Sequence, residues 1–192
     1  PSVYHPKPFA SDGFVQPYGD SPLDEEIVAE NVYLNILNQA RKYVYIYTPY
    51  LIIDQEMTTA LCLAAKRGVD VRIVTPGIPD KKVIFQLTRS YYPPLLKAGV
   101  RIYEYSPGFL HAKSYVCDDE TAVVGTINMD YRSLYLHFEC GTCFYRNEIV
   151  LDVKKDCLDT MEKSREIGIR DTRQGFSGSL FCAVLRVFAP LL

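Results

Sequence analysis

His111-Ala-Lys113-Ser-Tyr-Val-Cys-Asp118 and, starting seven residues later, Gly125-Thr-Ile-Asn128-Met-Asp130-Tyr-Arg132-Ser133 carry the residue types that metal-free phosphodiester chemistry requires. A histidine can attack phosphorus or protonate the departing oxygen. A lysine two positions along a strand shares its face and can neutralise charge building on the phosphoryl oxygens. Asn128 adds an uncharged donor for the same oxygens, and Glu139 is placed to hold the imidazole by its second nitrogen. The pattern H-x-K-x4-D alone arises by chance in roughly one chain in a hundred of this length. The second motif at this spacing makes coincidence far rarer.

The chain holds a second spacing match, His5-Pro-Lys7-Pro-Phe-Ala-Ser-Asp12. Prolines at 1, 6, 8 and 17 block a regular strand there and no G-[ST]-x-N follows, so the match is read as accidental. His5 and His137 are read as structural histidines. Asp118, at a strand end, is expected chiefly to orient the turn, with direct proton transfer the alternative. Arg132 is read as pairing with Asp130 or reaching a substrate phosphate. Tyr50 and Tyr131 are candidates for the mouth of the site, against the plainer reading as core or rim in a chain with 15 tyrosines.

Around these residues the sequence alternates helix and strand signals. Residues 1–20 read as an irregular, proline-rich lead-in, and Ser21-Pro22 as a helix start with cap and first-position proline. Strands are expected at 44–48, 69–75, 100–105, 111–117, 121–125 and 136–145. Helices are expected from Ser21 to about Arg41, from Asp54 to before Gly68, from Lys81 with a break at Pro93-Pro94, and over 148–165. This is an α/β pattern, layered, with a mixed or largely parallel sheet flanked by helices. The reading divides the chain into a lead-in (1–20), a catalytic half-domain (21–172) and an apolar tail (173–192).

Composition bounds the function. At 192 residues and 48% hydrophobic, the chain can bury one substantial core. Its net charge is −2, and between Ser106 and Glu139 only Lys113 and Arg132 are basic, so no nucleic-acid track is expected. No run reaches the length of a membrane span, and no signal peptide is evident. The six cysteines suggest no disulfide framework. Cys140 and Cys143, three apart on an expected strand, face opposite sides and make a poor metal or redox pair. The chain starts at Pro1 without a methionine and reads as an excised fragment.

The two motifs resemble the phospholipase D superfamily. Further segments resemble its bacterial cardiolipin synthases: Thr48-Pro49-Tyr50, residues 65–72, Arg89-Ser-Tyr-Tyr92, residues 99–105, Pro107-Gly-Phe-Leu-His111, Asp130-Tyr-Arg132-Ser133, Phe138-Glu139 and the final Ala189-Pro-Leu-Leu192. The resemblance spans about Gly13 to the C-terminus. It implies a phospholipase D-like fold, no cofactor and no metal, and an enzyme with two membrane segments and two such motifs meeting at one site. Only one credible motif is present here, so the chain is read as the carboxy-terminal half, needing the missing amino-terminal half as partner. The implied reaction moves a phosphatidyl group from phosphatidylglycerol to a histidine, releasing glycerol, and then to a second phosphatidylglycerol. Whether His111 is nucleophile or general acid stays open. The implied location is the bacterial cell membrane for the whole protein, with this fragment soluble on the cytoplasmic side. Two alternatives remain open: a homodimeric nuclease-like phosphodiesterase, and a silent half-domain acting only in assembly. The tail reads either as an interfacial membrane helix or as packing against the domain.

Overall fold

In the computed structural model, residues 12–23, 25–173 and 176–189 are described, the side chains of residues 176, 177 and 179 excepted. The accidental motif at His5 and Lys7 lies outside them, as do parts of the tail.

One eight-stranded sheet organises the chain. Its strands are β1 (Phe14–Asp20), β2 (Tyr43–Tyr47), β4 (Asp70–Pro76), β5 (Arg101–Tyr105), β6 (Ser114–Cys117), β7 (Thr121–Gly125), β9 (Glu139–Tyr145) and β10 (Ser164–Ile167). Two further short strands, β3 (Leu51–Ile52) and β8 (Met129–Asp130), pair in parallel beside it. The order across the large sheet is β1-β9-β7-β6-β2-β4-β5-β10. The sheet is mixed, as expected, but its parallel pairing is confined to β2, β4 and β5, and every other neighbour is antiparallel.

Alternation along β2 explains the layers. Val44 and Ile46 face one core, with Leu37, Leu61 and Leu95 from α1 (Val28–Gln39), α2 (Gln55–Lys66) and α4 (Tyr92–Ala98). Tyr43, Tyr45 and Tyr47 face the other core, with Val150, Cys157 and Met161 of α5 (Ile149–Glu162). α3 (Lys82–Ser90) and α6 (Phe176–Val187) lie against each other, with Cys182 Sγ 3.8 Å from the Gln86 carbonyl oxygen.

Several boundaries differ from the sequence reading. The lead-in is irregular only in part, because Phe14–Asp20 forms β1. Pro17 is tolerated there because β1 ends the sheet and pairs on one side only. The first helix starts at Val28 rather than at Ser21-Pro22, since Asp20 Oδ2 accepts the Ala29 N–H at 3.1 Å and acts as the cap from a neighbouring strand. Asp54 does cap α2, accepting the Met57 N–H at 2.7 Å. Pro93 and Pro94 open α4 instead of breaking a longer helix. The strand expected over 136–145 starts at Glu139, and Arg132–Leu136 is a π-helical turn. The helix expected over 148–165 ends at Glu162, and Ser164–Ile167 turns back as β10 against β5. The tail holds a helix, α6, docked through Cys182 and Ala189. No helix among the described residues is long and apolar enough to cross a membrane.

Candidate active site

His111 and Lys113 do not sit inside a strand. They occupy the extended approach to β6, whose first residue, Ser114, pairs with Tyr47 at the C-terminal end of β2. The motif therefore opens at the carboxyl edge of the parallel strands, where α/β sheets commonly form clefts. The His111 ring is exposed, lies 5.5 Å from the Phe109 ring, and makes no hydrogen bond to a described residue. Lys113 is half-buried and its Nζ donates to the His111 carbonyl oxygen at 2.7 Å. Burial lowers the Lys113 pKa from its ordinary value, while Glu139 and Asp130 oppose that fall.

Asn128 is positioned by the backbone on either side of it. Tyr33, fully buried, donates its hydroxyl to Ile127 O at 3.1 Å, and Met129 N–H donates to Thr48 Oγ1 at 3.0 Å. Thr48 in turn donates to Tyr50 O at 2.6 Å. The side chain of Asn128 donates through Nδ2 to Ser133 Oγ at 3.0 Å, leaving Oδ1 buried without a partner. Ser133 N–H donates to Asp130 Oδ1 at 2.9 Å. The spacing N-x-D-x-x-S is thus a local cap on the π-helical turn, and it grips the asparagine amide. Gly125 is required by close packing: a Cβ there would stand 2.3 Å from Cys140 O.

Two cavities meet at Asn128. An open groove is lined by His111, Lys113, Thr126 and Asn128, with Asp152 and Asp156 of α5 opposite. The second cavity is lined by Asn128, Asp130, Glu139, Tyr50, Tyr131 and Arg132, with Lys81 and His137 also at its wall. The structure therefore brings together His111, Lys113 and Asn128, and groups Glu139, Tyr50, Tyr131 and Arg132 next door. Glu139 does not bond the His111 imidazole. Its Oε2 accepts from Thr126 Oγ1, and its Oε1 lies 3.9 Å from His137 Nδ1. Tyr50 donates to Asp80 Oδ2 at 2.6 Å.

Asp118 takes no part in either cavity. It lies past the other end of β6, where its carboxylate accepts the N–H groups of Arg41, Lys42 and Tyr43 at 2.7, 2.8 and 2.8 Å. Asp118 thereby ties the segment entering β2 to the turn after β6. Thr126, Thr48, Tyr33 and Ser133 were not singled out by their chemistry. Thr126, Thr48 and Ser133 do lie within the quoted motifs, and that position was their only signal.

Away from the cavities, Glu30, Asp54 and Glu56 form the one cluster of potential metal ligands among the described residues. Tyr135 Oη lies 2.7 Å from Glu30 Oε2 and 2.8 Å from Asp54 Oδ2. Two carboxylates sharing one hydroxyl are best satisfied when one of the acids carries a proton and donates in turn. Burial raises the Glu30 pKa to about 7, with Asp54 adding to the rise and the Tyr135 hydroxyl opposing it, so Glu30 is the acid that binds a proton more readily than an exposed glutamate.

The fold and the paired motifs define a phospholipase D-type α/β domain. The model of the cardiolipin synthase, PLD-like domain family matches residues 33–159, and the chain belongs to that family. It is 37% identical over 94% of its length to a cardiolipin synthase of Halalkalibacterium halodurans, and covers 36% of that protein. It is 57% identical over 95% of its length to an uncharacterized protein of Streptococcus mutans, of which it covers 40%. The chain thus spans well under half of the curated relatives it matches. The crystal structure of Nuc, a phospholipase D family member from Salmonella typhimurium, superposes with a TM-score of 0.69 at 18% identity. That match covers 82% of this chain and 99% of Nuc.

Proposed function

We propose that this chain supplies one half of a phosphatidyl-transfer site that joins two phosphatidylglycerol molecules into cardiolipin and glycerol. The observation that carries the reading is the convergence of exposed His111, Lys113 and Asn128 on one open groove in a chain of the cardiolipin synthase family. His111 carries out the histidine chemistry, either attacking phosphorus to form a phosphohistidine and later releasing the group to a hydroxyl, or moving the proton for a partner histidine. Lys113 and Asn128 face the phosphoryl oxygens.

Charge supports the half-site. Among the described lining residues of the groove Lys113 is the one lysine or arginine, beside two carboxylates, Asp152 and Asp156. A dianionic transition state needs further cations there, and a second motif from the remainder of a longer protein would supply them. Tyr50, Tyr131 and Arg132 are proposed to contact the lipid headgroup from the adjoining cavity, and Glu139 to fix Thr126 and the start of β9. No nucleic acid, metal or cofactor enters this reading.

The test is His111→Asn in the longer protein in which we place this chain. Cardiolipin formation from phosphatidylglycerol should fall at least about 10³-fold with thermal unfolding unchanged. Substantial residual synthesis would remove His111 from the chemistry. DNA hydrolysis by the dimeric chain would favour the nuclease-like alternative.

A further inference from the structure

We infer that α6 and the adjoining ends of α3 and α4 form a docking face for an anionic phospholipid surface. Leu180, Phe181, Val184, Val187 and Phe188 recur at helical spacing and are 57%, 46%, 50%, 75% and 50% exposed. The opposite stripe holds Cys182 and Ala189, both buried. The helix is pinned in this orientation: Arg186 Nε donates to Ser90 Oγ at 3.1 Å, and its guanidinium lies 4.4 Å from the Tyr91 ring centroid. The outward apolar stripe is therefore the face left over once docking is satisfied. Ile78 and Val83, also exposed, flank Lys81 and Lys82 at the start of α3, and Lys82 shares a groove with Gly178 and Cys182 of α6.

Charge selects the occupant. Lys81 and Lys82 are exposed at the start of α3, whereas Arg89 is paired with Glu104 at 3.0 Å and Arg186 is turned to Ser90 and Tyr91; residues 172–192 contain no acidic residue. The whole chain is nonetheless net negative. Exposed apolar side chains with the exposed Lys81 and Lys82 beside them, on an otherwise acidic molecule, match an interface rich in anionic headgroups. The face is also continuous with the candidate site, because Ala189, Lys81 and Ile84 line the cavity that holds Asn128 and Arg132. A lipid with its headgroup in that cavity would leave its acyl chains along α6. This inference deepens the phosphatidyl-transfer reading and rests on it for its purpose.

Flotation of the 192-residue chain with vesicles tests it, using phosphatidylserine as the anionic lipid so that binding is read apart from the proposed substrate. The chain should float with phosphatidylcholine vesicles carrying about one-third phosphatidylserine, and not with phosphatidylcholine alone. Lys82→Glu should weaken binding about tenfold, and salt of about 0.5 M, which shortens screening to about 4 Å, should do the same. A Phe181→Ser, Val184→Ser, Val187→Ser variant should lose at least about tenfold while keeping its helical circular dichroism. A folded chain that fails to float, or a triple variant that floats like the parent, overturns the inference. So does a dimer that the triple variant dissolves without any lipid binding, which would give the face to a second copy. Flotation of the chain intact beside failed cardiolipin synthesis by the longer protein would strike the transfer reading alone.

Discussion

Asn128 is held by four groups that do no chemistry: Tyr33, Thr48, Ser133 and, through Ser133, Asp130. Its amide must be rigid to serve as a preorganised donor. Asn128→Ala in the longer protein should lower kcat about 10²-fold with little change in KM. Ser133→Ala should cost about 1 kcal/mol of stability and lower kcat less, about tenfold, because the amide remains but is no longer held. Equal losses in both variants would mean that Ser133 itself meets the substrate. At this scale the sequence was informative where residue type and spacing are the message, as with His111, Lys113 and Asn128. It was silent where a role depends on which partner lies near. Glu139 was assigned to the imidazole, yet it bonds Thr126 and stands by His137, and nothing in the local pattern distinguishes those outcomes.

Among the elements, β2, β4, β5 and β7 were legible because short apolar runs bounded by turns read as strands. β1 was hidden by Pro17, which only an edge position allows. The π-helical turn over 132–136 was masked by apolar residues that also suit a strand, and β10 by charges that continue the helical pattern of α5. The contact between the first turn of α1, the cap of α2 and the π-helical turn, made by Glu30, Asp54 and Tyr135, was invisible because its members lie far apart in sequence. It has a pH consequence. The folded pKa of Glu30 lies above its unfolded value, so the folded state binds more protons between the two. Stability is fully present below about pH 4.5, is lost as pH rises toward about 7, and is level beyond that. Glu30→Gln, which is neutral throughout, should flatten this part of the profile and be the more stable form at pH 8, as read by urea denaturation. An unchanged slope would place the shared proton elsewhere.

For the whole molecule, the exposed histidine, the single lysine in its groove and the acidic wall of α5 describe a surface suited to a second contributor. The nearly complete match to the Nuc chain indicates a full copy of the fold, while the chain covers 36% of a cardiolipin synthase. The family was legible in the sequence because its motifs are dense and specific. The groove and its charge balance required the packing of distant elements, and the sequence left the tail open between an interfacial helix and packing against the domain. The most direct measurement is mass-spectrometric detection of cardiolipin after incubation with phosphatidylglycerol in mixed micelles. It would compare the longer protein with the folded 192-residue chain. The half-site account predicts product from the longer protein and none from the chain alone. Cardiolipin made by the isolated chain, and lost with His111→Ala, would contradict it and show that two copies complete the site themselves.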